Sequence, residues 1–473
     1  MPPNEGHPRT AGRGRRSRSW AVRLAAALTS AIALAGCAEA RAEAPGGEYA
    51  PGEVLVKYAP GTSAGAWAAS AKAAGAEDPA VAAQHTRLLR LASGVSVQAA
   101  LKKLRREPDV AWAVPDYRAR AAGGRIPNDT GLGHEPGDWR LIQWNFVGQF
   151  GVDAPEAWAN VAADGAPGGR RVIVAVLDTG VAYANRGRYR RSPDFSRYTF
   201  VKGYDFVDHS PYPNDHNGHG TFVTGTIAEA DKHNLGLTGL AFEARIMPVR
   251  VLNSEGEGYA STIAEGVLFA VRHGARVINL SLEFSSGVTA GDIPELIDAL
   301  RYAYRRGVVV VAAAGNEGHE AIAYPARAPH VIAVGATTEH GCLANYSNYG
   351  PGLTLVAPGA GADASLPGDP NCRPELPAGK DIFQMTFTGS SPRKFGFPNG
   401  YEGTSMAAPH VAATAALIIA SGLLGRRPTP AQITARLRAT ARKLGGPGDS
   451  SLYGAGLLDA AAATARGGPG AVG

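Results

Sequence analysis

Apolar runs at 172–177, 245–251, 276–282, 307–313 and 331–335 alternate with stretches patterned as helices at 219–230, 259–273 and 292–306. A short, largely apolar run suits a strand covered on both faces. Such strands belong to parallel sheets, because each crossover between parallel neighbours lays a helix on the sheet. Two of the helical stretches run into Gly274 and Gly307, where glycine closes a helix at low conformational cost. With further helices at 405–421 and 428–443, the pattern predicts an α/β fold: a parallel sheet with helices on both faces.

Ligands of such sheets bind at the carboxyl ends of the strands, so polar residues at those ends are the first candidates for chemistry. The run Val172–Leu177 ends in Asp178-Thr179-Gly180, and the run Val308–Ala314 ends in Gly315-Asn316-Glu317-Gly318. Asn217-Gly218-His219-Gly220-Thr221 places His219 at a helix start between glycines, and Gly403-Thr404-Ser405-Met406-Ala407-Ala408-Pro409-His410 opens an Ala-rich helix. A serine hydroxyl becomes a useful nucleophile only when a neutral imidazole takes its proton, and the imidazole needs a carboxylate to hold its tautomer. Asp178, His219 and Ser405 supply those three groups. Each also has an ordinary reading: a strand-end turn for Asp178, one of twelve histidines for His219, a helix cap for Thr404 and Ser405, and a turn asparagine for Asn316.

Taken together, the motifs Asp178-Thr179-Gly180, His219-Gly220-Thr221 and Gly403–His410 occur in the order and form that mark the subtilisin-like serine proteases. The chain resembles that family over residues 140–466, ending with Tyr453–Ala460, which looks like its closing segment. The resemblance implies a serine endopeptidase acting on polypeptide substrates. It gives Ser405 as nucleophile, His219 as general base, Asp178 as its orienting carboxylate, and Asn316 with the Ser405 N–H as donors to the oxyanion. No cofactor is implied for catalysis.

The resemblance also implies that substrate lies as an added strand, paired through main-chain groups. Ser281, Leu282 and Glu283 look like one wall of the cleft, Gly258 and Tyr259 its opposite edge, and Ala313, Ala314 and Gly315 complete the substrate-binding set. Glu283 stands where the family usually has glycine, and Glu402 where asparagine is frequent. A carboxylate at 283 would favour basic side chains; the alternative is that Glu283 points to solvent and the pocket keeps the family's taste for large apolar residues.

Upstream, Glu53–Tyr58, Arg87–Leu91 and Val110–Val114 read as strands, and Ser96–Arg105 as a capped amphipathic helix. Alone, this would be a small α+β binding module. Ahead of a subtilisin-like domain it looks like the inhibitory propeptide, a ferredoxin-like unit over 48–121, followed by a processing linker at 122–139 with self-cleavage expected within 118–127. A loose tail is expected at 467–473. The chain's net charge is +6, but residues 1–36 hold six arginines against one glutamate, so the rest is nearly neutral and nucleic-acid binding has no support from charge. That basic leader runs into a short apolar stretch at 24–36, suited to a signal peptide. Leu34-Ala35-Gly36-Cys37 resembles a lipobox, which would make Cys37 the lipidated first residue and anchor the protein to a membrane. Ordinary cleavage near Ala38-Glu39-Ala40 is the alternative.

Of the remaining cysteines, Cys342 and Cys372 are either a disulfide pair, sensible in an oxidising compartment, or two buried thiols. The oxygen-rich loop with Asp205, Asp208, Asp215 and Asn217, and the segment with Asp231, Asn234 and Thr238, suit structural calcium, although acidic loops are commonly only solvated. A catalytically dead surface protein and a serine esterase of the α/β-hydrolase type are the rival classes. The first has no need of all four residues Asp178, His219, Ser405 and Asn316, and the second requires a Gly-x-Ser-x-Gly elbow and the order Ser, acid, His.

Overall fold

The computed structural model describes residues 49–83, 86–117, 127–133, 135–231, 236–446 and 450–467. The expected leader at 1–36, Cys37, the cleavage segment 118–126, Asn234 and residues 468–473 lie outside the described residues. The chain divides into two compact units, Met1–Ala121 and Ala122–Gly473.

The first unit runs β1 (Tyr49–Tyr58), α1 (Ala64–Ala74), β2 (Ala76–Ala83), β3 (Thr86–Leu91), α2 (Val97–Leu104) and β4 (Val110–Tyr117). Its antiparallel sheet has the order β2-β3-β1-β4, the ferredoxin-like βαββαβ arrangement. Ser63 and Ser96 cap the two helices by accepting from the N–H groups of Ala66 and Ala99. The apolar stripe of α2 (Val97, Ala100, Leu101, Leu104) meets Val54, Val56 and Leu89 of the sheet in one small core. Helix α1 and strand β2 have no clear sequence signal, since one is seven alanines in eleven residues and the other contains Asp78-Pro79.

The second unit begins with short α3 (Trp144–Val147) and α4 (Ala154–Ala163). Its sheet is built from β5 (Ile173–Asp178), β6 (Tyr204–Asp205), β7 (Arg245–Arg250), β8 (Val277–Leu280), β9 (Val309–Ala313), β10 (Ile332–Thr337) and β11 (Leu355–Pro358). All neighbours are parallel, in the order β11-β10-β9-β8-β5-β7-β6. Helices α5 (His219–Ala228) and α8 (Thr404–Ser421) cover one face; α6 (Ala260–Arg272) and α7 (Pro294–Arg305) cover the other; α9 (Pro430–Thr440) follows α8. Strand pleating decides the partition: Val174 and Val176 of β5 point into the core with Phe222 and Val411, while Ala175 and Leu177 point into the core with Ile263 and Leu296.

Chain order reverses on either side of β5, which has β7 on one flank and β8 on the other. Crevices at such reversals open at the carboxyl ends of the strands, so the tips of β5 and β8 flank the place where a ligand fits. Helix α8 is long and apolar enough to cross a membrane, but 83% of that window is buried inside the protein, which makes it the central core helix. The stretch 359–401, irregular by sequence, contains one small hairpin, β12 (Thr386–Phe387) with β13 (Phe395–Gly396). Strands β6 and β11 are too short to stand out in sequence.

Candidate active site

Strand β5 ends on Asp178 and helix α5 starts on His219, with His219 Nδ1 2.8 Å from Asp178 Oδ1. Gly220 permits the approach, because a Cβ there would stand 2.1 Å from the Gly180 carbonyl oxygen. Asp178 Oδ1 also accepts from the Thr179 N–H at 2.7 Å, and the carboxylate is fully buried. Burial pulls the His219 pKa down, but the charge and hydrogen bond of Asp178, aided by the charge of Asp215, outweigh it and hold the imidazole above its ordinary value. About a quarter of the His219 side chain is open to the cleft. With Nδ1–H donated to the carboxylate, the Nε2 lone pair is free for a proton.

The loop before His219 is organised by Asp215. Its Oδ1 accepts from Thr179 Oγ1 at 2.9 Å and from the N–H groups of Asn217 and Gly218 at 2.8 and 2.9 Å; its Oδ2 accepts from the N–H and hydroxyl of Thr221 at 2.9 and 2.6 Å. Burial raises the Asp215 pKa against the hydrogen bonds from Asn217, Gly218 and Thr221. The side chains expected to hold calcium in this loop are engaged within the protein. Asp215 is saturated internally, while Asp205 and Asp208 share the buried Arg250 guanidinium at 3.0 and 2.6 Å. Asp205 Oδ1 is further occupied by the N–H groups of Val207 and Asp208. Arg250 is the partner these two carboxylates have, and no group of three or more His, Cys, Asp or Glu side chains assembles among the described residues.

Ser405 sits in the first turn of α8, locked to the tip of β8. Ser405 Oγ donates to the Ser281 carbonyl at 3.2 Å, and Ser281 Oγ donates back to the Ser405 carbonyl at 2.7 Å. Asn279 Nδ2 in turn donates to Ser281 Oγ at 2.9 Å. The helix cap expected from Thr404 and Ser405 is not formed: the N-cap is Gly403, with no side-chain cap. Thr404 instead gives both its N–H and its hydroxyl to Asn316 Oδ1, at 2.8 and 2.9 Å. Nothing in the local sequence signals that contact, whose partners are 88 residues apart.

Asn316 follows β9 through the tight turn at Gly315, whose φ of +114° suits glycine. A Cβ at Gly315 would stand 2.2 Å from Asn348 Nδ2 and 2.7 Å from Glu283 Oε2. That space is used by Glu283, which takes the Asn316 N–H on Oε2 and Asn316 Nδ2 on Oε1, both at 2.9 Å. Glu283 thus turns toward Asn316 rather than toward solvent.

The cleft, about 570 Å³, is lined by His219, Ser405, Ser281, Leu282 and Glu283 together with Leu252, Glu255, Glu257 and Gly258. Ala313 and Ala314 are buried at the end of β9, and Tyr259 is 80% exposed beside the cleft. Glu255 and Glu257, which the sequence analysis did not name as site residues, are also among the lining residues. Behind α5, Thr386 of the hairpin donates to the Gly218 carbonyl at 2.6 Å, and the Tyr401 ring stacks on Phe222 at 4.0 Å. The segment 359–401 thus buttresses the histidine-bearing helix. Its start is tied down by a disulfide between Cys342 and Cys372, with Cα atoms 4.8 Å apart.

A parallel α/β sheet whose carboxyl edge brings serine, histidine and buried aspartate to one cleft defines a serine hydrolase. The chain belongs to the subtilase family, whose model matches residues 169–456, and it is a serine endopeptidase. Residues 37–116 match the family described as the fervidolysin N-terminal prodomain. The chain is 33% identical over 408 residues to the thermophilic serine proteinase of Bacillus sp. (strain AK1), covering 86% of each protein. It is 38% identical over 300 residues to subtilisin BL of Lederbergia lenta, covering 63% of this chain and 91% of that protein. Among solved structures, a protease of Pseudoalteromonas arctica PAMC 21717 superposes with a TM-score of 0.57 at 30% identity, covering 72% of this chain and 98% of that one.

Proposed function

We propose that this endopeptidase works through an acyl-enzyme on Ser405, with His219 as general base, Asp178 as its orienting carboxylate, and Asn316 Nδ2 with the Ser405 N–H as oxyanion donors. The observation that carries the reading is the 2.8 Å contact of His219 Nδ1 with Asp178 in a cleft that His219 shares with Ser405. In this mechanism the Ser405 hydroxyl leaves the Ser281 carbonyl for His219 Nε2. The imidazole takes the proton as Oγ bonds to the scissile carbonyl carbon, and the negative charge moves to the carbonyl oxygen. His219 then returns the proton to the departing amine, and water repeats the cycle to release the acid. Asp178 orients the imidazole and stabilises the imidazolium.

The ferredoxin-like unit at 48–121 is read as an inhibitory propeptide, with 122–139 as the processing linker and 140–466 as the catalytic domain. Export through the leader at 1–36, with lipid on Cys37 anchoring the chain to a cell envelope, completes the proposal; secretion without lipid is the alternative. Ser405→Ala tests the central claim. The variant should fold, because alanine suits the same turn, fail to react with a fluorophosphonate probe, and accumulate as uncleaved precursor on a gel. Normal maturation of the purified variant would remove Ser405 from the role.

A further inference from the structure

Three carboxylates, Glu255, Glu257 and Glu283, line the cleft, and no lysine or arginine does so among the described residues. Glu283 is the one whose place has a catalytic consequence. Its two oxygens take the backbone and side-chain N–H groups of Asn316, while Asn316 Oδ1 is held from the opposite side by Thr404. The amide therefore has one orientation, since a flip would set Oδ1 against a carboxylate and Nδ2 against two donors. The unusual φ at Gly315 and the missing Cβ leave the space the carboxylate occupies.

We infer that Glu283 makes the enzyme selective for a lysine or arginine at the substrate residue carrying the scissile carbonyl, by coupling that side chain's charge to the oxyanion donor. The inference rests on the acyl-enzyme reading above. An oxyanion donor lies about 3 Å from the developing charge, and Asn316 Nδ2 is 2.9 Å from Glu283 Oε1. The oxyanion thus forms within about 6 Å of a carboxylate that no cation among the described residues neutralises, a repulsion of about a hundredfold in rate at the effective dielectric of a protein surface. The substrate side chain that branches from the carbon next to the scissile carbonyl is the one within reach. A cationic head group there pairs with Glu283, screens the oxyanion and frees Nδ2 from its present acceptor. An apolar side chain leaves the repulsion in place.

Because the substrate carbonyl is neutral in the ground state, the penalty on apolar substrates falls on kcat. The cationic substrate also gains on KM through direct attraction.

The test uses four peptide amides identical except for Lys, Arg, Phe or Leu before the scissile bond, cleaved by the matured wild type, Glu283→Gln and Glu283→Gly. Wild type should favour Lys and Arg by tenfold or more in kcat/KM. Both variants should lose that preference, with kcat on Phe and Leu rising. A wild type that favours Phe or Leu overturns the inference, as does an unchanged preference in the variants or an equal fall of kcat on all four substrates, which would make Glu283 a mere prop for Asn316. Fluorophosphonate labelling of the same samples separates the two readings. An unlabelled wild type sinks the acyl-enzyme and this inference together, whereas a labelled wild type indifferent to Glu283 sinks this inference alone.

Discussion

Asp178→Asn removes one charge from a contact whose surroundings are well defined. Asp178 Oδ1 accepts from both His219 Nδ1–H and the Thr179 N–H, while Oδ2 is buried and has no hydrogen-bond partner among the described residues. An asparagine can keep its oxygen in the Oδ1 position only by placing its NH2 where Oδ2 was, as a buried donor without an acceptor, at a cost of about 1–3 kcal/mol of stability. Flipped, it would set NH2 against the Thr179 N–H and force His219 into the tautomer that points a proton, not a lone pair, at Ser405. In either state the imidazolium formed during catalysis loses its counter-charge. Loss of this carboxylate in other serine proteases, a subtilisin among them, lowers kcat by about 10⁴-fold, equivalent to about 5.5 kcal/mol, and the same size is expected here. The pH profile supplies an independent sign. On the proposed mechanism neutral His219 is the active form, and Asp178 is the main influence holding its pKa above the ordinary value against burial. Without the charge, burial dominates, so the acidic limb of kcat/KM should move to lower pH as the plateau collapses. The variant can be matured by trypsin at Arg118, Arg120 or Arg125, freed of trypsin on a benzamidine column, and assayed on a peptide amide from pH 4 to 10. A loss below tenfold, or an acidic limb that moves up, would refute the assignment of Asp178.

Two further outcomes concern stability, both measured in the Ser405→Ala background to avoid self-digestion. His410 is buried between Asn145 and the Met406 carbonyl, and burial lowers its pKa to about 4. Stability it contributes is therefore complete above pH 6.5 and falls as pH drops toward 4, by about 3 kcal/mol in all; His410→Gln should unfold in urea with a correspondingly shallower pH dependence over that window. The Cys342–Cys372 bridge spans 30 residues, so chain entropy predicts that Cys372→Ser costs about 3.6 kcal/mol, read as a fall in urea midpoint that a reductant reproduces in the parent.

The sheet and the positions of Asp178, His219 and Ser405 were legible because they depend on local signals. Buried runs announce strands, strand ends announce the site, and glycines on either side of His219 announce a close approach. The missed features depend on distant partners. The acidic loop at 205–217 looks like a cation site to any reading that cannot see Arg250 arriving from the end of β7. Thr404 looks like a cap until Asn316 is placed beside it. Strand β11, four residues ending in Pro358, takes its identity from pairing with β10 rather than from its own sequence.

Glu283 falls between these cases. Its type and its place after Ser281-Leu282 suggested a charge near substrate, but not what it would touch. That depends on Gly315 and Asn316, which come from the neighbouring strand β9, and on Thr404, which comes from α8. The tips of β8 and β9 and the start of α8 are joined by the Ser281–Ser405 exchange and by the chain Glu283–Asn316–Thr404. Because these links share the asparagine amide, moving one end moves the other. On the proposed mechanism, a substrate charge that draws Glu283 aside would act on the same group that stabilises the oxyanion, which would couple selectivity and rate through one amide rather than through separate pockets.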